Sequence, residues 1–178
     1  MKHTQKHSRM ILAALFLSSA YVLPYLTGQI PEVGAMLCPM HLPVLLCGFV
    51  CGWQWGLAVG LVAPLLRSLL TGGFPPMFPT AVCMAFELAT YGLVAALALR
   101  ALPRRRGAVY PALLIAMLAG RLVWGCAMLV LVGLRGGFGW SAFLAGAITN
   151  ALPGIVLQLV VVPPTVLLIE RIHPNKTE

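Results

Sequence analysis

Four ionisable side chains, His41, Arg67, Glu87 and Arg121, stand inside or at the edge of long apolar runs, and Asn150 and Gln158 stand in a further run. The stretch TAVCMAFELATYGLVAALAL, Thr80 to Leu99, carries a single charge, Glu87. In hydrocarbon such a group costs on the order of several kcal/mol unless it is paired or hydrated, so each is a functional candidate by default. Either Glu87 or Arg121 alone would be hard to keep in a bilayer, which predicts that they pair. That pair would either only lock two helices or belong to a ligand site. Paired acid–base chemistry has nothing to work with, because the chain has no Asp and Glu87 is the single carboxylate in the outer half of the membrane. No GxSxG elbow, nucleotide-binding loop or His/carboxylate cluster is present. A zinc site built on Cys38 and His41 would be short of ligands. No enzyme, cofactor or metal is expected.

Depth brings these residues together. At a rise of about 1.5 Å per residue, Glu87 lies roughly 11 Å from the outer end of its span, Asn150 roughly 14 Å, Arg121 roughly 15 Å, and His41 and Arg67 roughly 6 Å. All five fall in the outer half of the membrane on five different segments. Met117, Arg121, Trp124 and Met128 share one helical face, Glu87 and Tyr91 another, and Asn150, Gly154 and Gln158 a third. A few convergent polar groups floored by Met, Trp and Tyr make the usual small-ligand site. With one arginine neutralised by Glu87, the site keeps about one positive charge. That favours an anionic or strongly hydrogen-bonding ligand, and arginine is suited to hold a carboxylate.

The elements that must position these groups are membrane helices. Of the 178 residues 60% are hydrophobic, against 12 basic and 4 acidic ones, a balance far too apolar for a soluble domain. Apolar runs near the roughly 20 residues that cross a bilayer recur throughout. They predict an all-α integral membrane protein with six transmembrane helices, about 10–27, 37–52, 57–70, 80–99, 108–134 and 140–172, in a single membrane domain, 1–178. Nine basic residues fall in the N-terminal tail, the Arg100–Arg106 cluster and the C-terminal tail, which predicts that both termini are cytoplasmic. The net charge of +8 therefore marks cytoplasmic segments and not a nucleic-acid surface. A cleaved signal peptide at the N-terminus would put the Arg104 cluster and the C-terminal charges on opposite sides, so this segment reads as the first helix. Glycines at 48, 52, 56 and 60 recur every four residues, a stripe expected to pack helices 2 and 3 tightly.

The blocks MHLPVLLCGFVCGWQWG, GLVAPLLRSLLTGGFPPMFPTAVCMAFELATYG and LAGRLVWG resemble the substrate-binding S components of energy-coupling factor (ECF) transporters, in order, from about Leu26 to Pro164. The resemblance implies a bacterial plasma-membrane subunit that binds a vitamin or vitamin precursor from outside. It also implies partners, a membrane coupling subunit and two cytoplasmic ATPases. The loop GGFPPMFP matches the family's lid position, so Phe74 and Phe78 are expected to cover ligand. Ala14 and Ser18 are the nearest match to the small-residue pair that docks the coupling subunit, an imperfect one. The expected substrate-binding set is His41, Arg67, Phe74, Phe78, Glu87, Tyr91, Arg121, Trp124 and Asn150. Surplus positive charge favours pantothenate. A neutral heteroaromatic precursor (hydroxymethylpyrimidine, a pyridoxine-like compound or a B12 lower-ligand precursor) would instead stack on Trp124 or Tyr91 and bond to Glu87 and Asn150. A stand-alone secondary transporter and a purely structural membrane subunit are the readings from other classes.

Overall fold

The computed structural model describes residues 2–26, 37, 39–103, 105, 107–133, 139 and 152–172. Six helices carry them: α1 (Lys2–Leu26), α2 (His41–Cys51), α3 (Trp53–Leu70), α4 (Val82–Ala101), α5 (Val109–Leu131) and α6 (Leu152–Ile172). Among the described residues there is no strand. The expected helix boundaries agree to within a few residues, with three differences. The first helix begins earlier, at Lys2. A single π-helical turn, Met77–Ala81, precedes α4, so the fourth span starts before Thr80. The stretch 140–151, expected to open the sixth helix, lies outside the described residues.

Five helical segments are long and apolar enough to cross a membrane: His7–Tyr25, Trp53–Leu70, Met77–Ala101, Val109–Leu131 and Leu152–Ile172. The exception is α2. Its 11 residues reach about 16 Å at 1.5 Å per residue, roughly half of a hydrocarbon core. Nine of those residues are nonetheless buried, so α2 is held by protein on nearly all sides. This is how a short helix remains at membrane depth, because its apolar surface and exposed termini meet other helices before lipid.

The packing centres on α4, which lies against α2, α3 and α5, while α1 covers α2 and α3, and α6 covers α2 and α5. Glycine makes that centre. A Cβ on Gly56 would stand 2.6 Å from the Gly92 carbonyl oxygen and 2.7 Å from Gly48 Cα. A Cβ on Gly48 would meet the Gly92 carbonyl, one on Gly60 the Leu88 carbonyl, and one on Gly92 the Gly56 carbonyl. Backbones of α2, α3 and α4 thus touch where no side chain fits, the arrangement small residues permit between membrane helices. The stripe differs from expectation in its partner, which is chiefly α4. Gly52 is not part of the contact. It has φ 96° and forms the hinge between α2 and α3, a conformation that costs glycine little.

Below this crossing, Leu45, Phe49, Tyr91, Ala95, Met117, Val162 and their neighbours form one apolar core shared by α2, α4, α5 and α6. A second cluster, with Ala13, Ala20, Val44, Cys47, Val59 and Leu88, joins α1 to α2, α3 and α4. Outward-facing side chains such as Ile11, Leu15, Leu118, Leu122, Val160 and Leu168 are large and apolar. A surface of this kind suits hydrocarbon on the outside of the bundle.

Candidate functional site

Glu87 is 2% exposed, buried in the second turn of α4. The Arg121 Nη1 from α5 lies 2.9 Å from its Oε1. The expected pair is therefore present. One turn along α4, the Tyr91 hydroxyl donates to the same oxygen at 3.2 Å. His41, the first residue of α2, brings its Nε2 to 3.6 Å from Glu87 Oε1 and its ring centroid to 5.2 Å from that of Tyr91. Three helices thus converge on one carboxylate oxygen. His41, read from the sequence as a shallower residue without a nearby counter-charge, proves to be a neighbour of Glu87. The glycine crossing explains this, since it lets α2 approach α4 to backbone contact.

The local sequence sets this geometry in two further places. The four-residue spacing of Glu87 and Tyr91 puts the phenol over the carboxylate on one helical face. Gly120, beside Arg121, leaves room for the Tyr91 ring, because a Cβ there would collide with Tyr91 Cε1 and Cδ1. A glycine next to the arginine is a signal the sequence does contain, in LAGRLVWG, but its use depends on which ring arrives opposite.

Arg67 sits in a different setting. It is 3% exposed and its Nη1 donates to the Tyr21 carbonyl of α1 at 3.2 Å. Its guanidinium carbon lies 5.4 Å from the centroid of the Tyr25 ring, a cation–π contact. The Tyr21 and Tyr25 hydroxyls are 3.0 Å apart. No acid among the described residues lies within ion-pair distance of Arg67. Its charge is met by a carbonyl dipole and a ring face, so the cluster stays positive. Tyr21 and Tyr25 were not in the expected set. Their i, i+4 spacing on α1 is visible, but nothing local says that an arginine 46 residues away will reach them.

The remaining expected residues divide as follows. Trp124 is half-buried on α5, three residues from Arg121. Phe74 (37% exposed) and Phe78 (56% exposed) stand out from the loop between α3 and α4, where the Thr71 hydroxyl donates to the Phe74 carbonyl. Ala14 and Ser18 lie on the outward face of α1, with the Ser18 hydroxyl donating to the Ala14 carbonyl at 3.0 Å. Asn150 lies outside the described residues. Among the described residues no group of three or more His, Cys, Asp or Glu could hold a metal ion.

A buried carboxylate, an arginine, a phenol and an imidazole in one place can donate and accept hydrogen bonds without water. They offer no nucleophile with a base behind it. A family model described as the ECF transporter substrate-specific component matches residues 8–166. The chain belongs to this family. No curated protein and no solved structure matches it. As an ECF S component it is a membrane transport subunit of the substrate-binding kind, and the family works with a membrane-embedded coupling subunit and ATPases. The match covers both the Glu87 centre and the Arg67–tyrosine cluster of this S component.

Proposed function

We propose that this S component binds a small vitamin or vitamin precursor in the outer half of the membrane, between the Glu87 centre and the Arg67 cluster. The observation that carries the reading is the Glu87 carboxylate, 2% exposed and approached by side chains from α2, α4 and α5. An ion pair serving packing alone needs one partner. Converging imidazole and phenol groups add polarity that a lipid-bound bundle has no structural reason to bury. Both termini face the cytoplasm in this proposal, and the ligand enters from the opposite side under the Phe74–Phe78 loop. Cargo passes inward when the subunit joins the coupling subunit, through the outward face of α1 at Ala14 and Ser18, with two ATPases supplying the energy.

Pantothenate is the favoured cargo. Arg67 carries a buried positive charge with no acid partner among the described residues, and a ligand carboxylate would supply one. A neutral heteroaromatic precursor is the second reading, favoured by one observation: the Arg67 guanidinium already rests against Tyr25 and the Tyr21 carbonyl. Such a ligand would use Glu87, Tyr91 and Trp124 instead. The deciding experiment is a thermal-shift screen of purified protein against B vitamins and their precursors. At 100 times its dissociation constant a true ligand stabilises the fold by about 2.7 kcal/mol. A carboxylate cargo loses its shift in Arg67→Ala more than in Glu87→Gln, and a neutral cargo shows the reverse. No shift with any compound would leave a structural subunit, and ligand uptake by the chain alone in liposomes would mark a secondary transporter.

A further inference from the structure

Four helices place a polar residue at the same step from one apolar core. Leu45 on α2, Tyr91 on α4, Met117 on α5 and Val162 on α6 belong to a single buried cluster. Four residues from each, about one helical turn, stands a polar group: His41 before Leu45, Glu87 before Tyr91, Arg121 after Met117 and Gln158 before Val162. His41 and Arg121 both reach Glu87 Oε1, so "before" on α2 and α4 and "after" on α5 point the same way. Helices α5 and α6 are successive helices long enough to cross a membrane, so "before" on α6 matches "after" on α5. The four residues form one polar layer resting on the apolar core.

Three members of that layer meet one another around Glu87 Oε1. Gln158, the fourth, does not join them. It is 1% exposed, among the most buried large side chains of the protein, and its amide oxygen Oε1 has no hydrogen-bond partner among the described residues. Both nitrogens of His41, 3% exposed, likewise lack a hydrogen-bond partner among the described residues. Donors are present in this layer, yet none reaches the amide. A buried amide oxygen left without a donor is a cost the fold carries. Gly154, four residues earlier on the same face of α6, is also buried.

We propose that Gln158 is a specificity-determining residue of the substrate site, whose amide accepts a hydrogen bond from an N–H or O–H group of the ligand. The ligand spans the layer between α6 and the Glu87 centre. The cargo class is accordingly a small molecule that carries a hydrogen-bond donor on the side away from Glu87. This rests on the substrate-binding reading above, and it adds the wall that faces α6.

Gln158→Leu separates a ligand role from a packing role. Replacing an unsatisfied buried polar group by an apolar one of similar shape is close to neutral or stabilising. In detergent without ligand the variant is therefore expected to melt at or above the wild-type temperature. A fall of several degrees would overturn the proposal, because it would mean that the amide already holds helices together. The second arm measures binding by calorimetry, with pantothenate, hydroxymethylpyrimidine, pyridoxine and dimethylbenzimidazole as probes, on wild type, Gln158→Leu and Gln158→Glu. For whichever probe wild type binds, Gln158→Leu is expected to weaken affinity by about ten-fold or more. Gln158→Glu, which keeps an acceptor, is expected to bind more tightly than Gln158→Leu. Equal affinity of wild type and Gln158→Leu would remove Gln158 from the site while leaving the substrate-binding reading in place. Failure of wild type to bind any probe would count against both.

Discussion

Glu87 is kept in the bundle by what surrounds it, and its neighbours have unequal weight. Arg121 supplies the opposite charge at 2.9 Å, and Tyr91 adds a hydrogen bond at 3.2 Å. Removing one partner of a buried ion pair strands the other, at a cost of about 3–5 kcal/mol. Glu87→Gln is expected to lie near the low end of that range, since glutamine keeps an acceptor for Arg121 and Arg121 is 15% exposed, not fully buried. Chemical denaturation in detergent measures it, and a loss under about 1 kcal/mol would show that the pair is weaker than its burial implies. Tyr91→Phe keeps the ring against Gly120 but removes the donor to a charged acceptor, which should cost about 1.5 kcal/mol. A double-mutant cycle on Glu87 and Tyr91 should give coupling of roughly 0.5–3 kcal/mol, and additivity would show that the hydroxyl contributes nothing to the carboxylate.

Among the elements, α4 is the axis on which the others are arranged, and glycine decides how closely they approach. Gly92→Ala would press a methyl group into the Gly56 carbonyl. Both atoms belong to backbones that cannot swing aside, so the variant should lose about 1–3 kcal/mol or more. Gly107→Ala, where nothing lies within 4 Å, is the matched control and should stay within about 0.5 kcal/mol of wild type. Comparable melting temperatures for the two variants would contradict the close crossing. Part of this was legible in the sequence: the glycines at 48, 52, 56 and 60 announced tight packing, although Gly52 serves as the hinge. Hydropathy placed six helical segments, missing the early start of the first at Lys2. The partner was not. Gly92 stands outside the repeat, so nothing in the stripe itself says that α4 is what it receives. The short span of α2 also escaped, because an apolar run shows where lipid or protein can sit and not which of the two is there.

For the molecule as a whole, the charge pattern makes the remaining prediction. Arg100 and Arg105 are exposed at the end where α4 passes to α5, opposite the end that carries Arg67 and Glu87. The proposed orientation holds these basic segments in the cytoplasm, which would turn the polar layer toward the outer side. A fluorescent-protein fusion at the C-terminus should be bright and an alkaline-phosphatase fusion there inactive. The opposite result would turn the site toward the cytoplasm and remove the uptake reading. By itself the sequence determined the class of the molecule, its family and the presence of several polar groups within its apolar runs. These follow from hydropathy, period and charge, which are written locally along the chain. Tertiary structure decided which of those groups meet. It brought His41 to Glu87, turned Arg67 toward two tyrosines of α1, and buried Gln158 with its amide oxygen unpartnered among the described residues. Depth along a helix fixes only height. Direction around the bundle depends on backbone crossings between distant segments, and those exist only once the helices have packed.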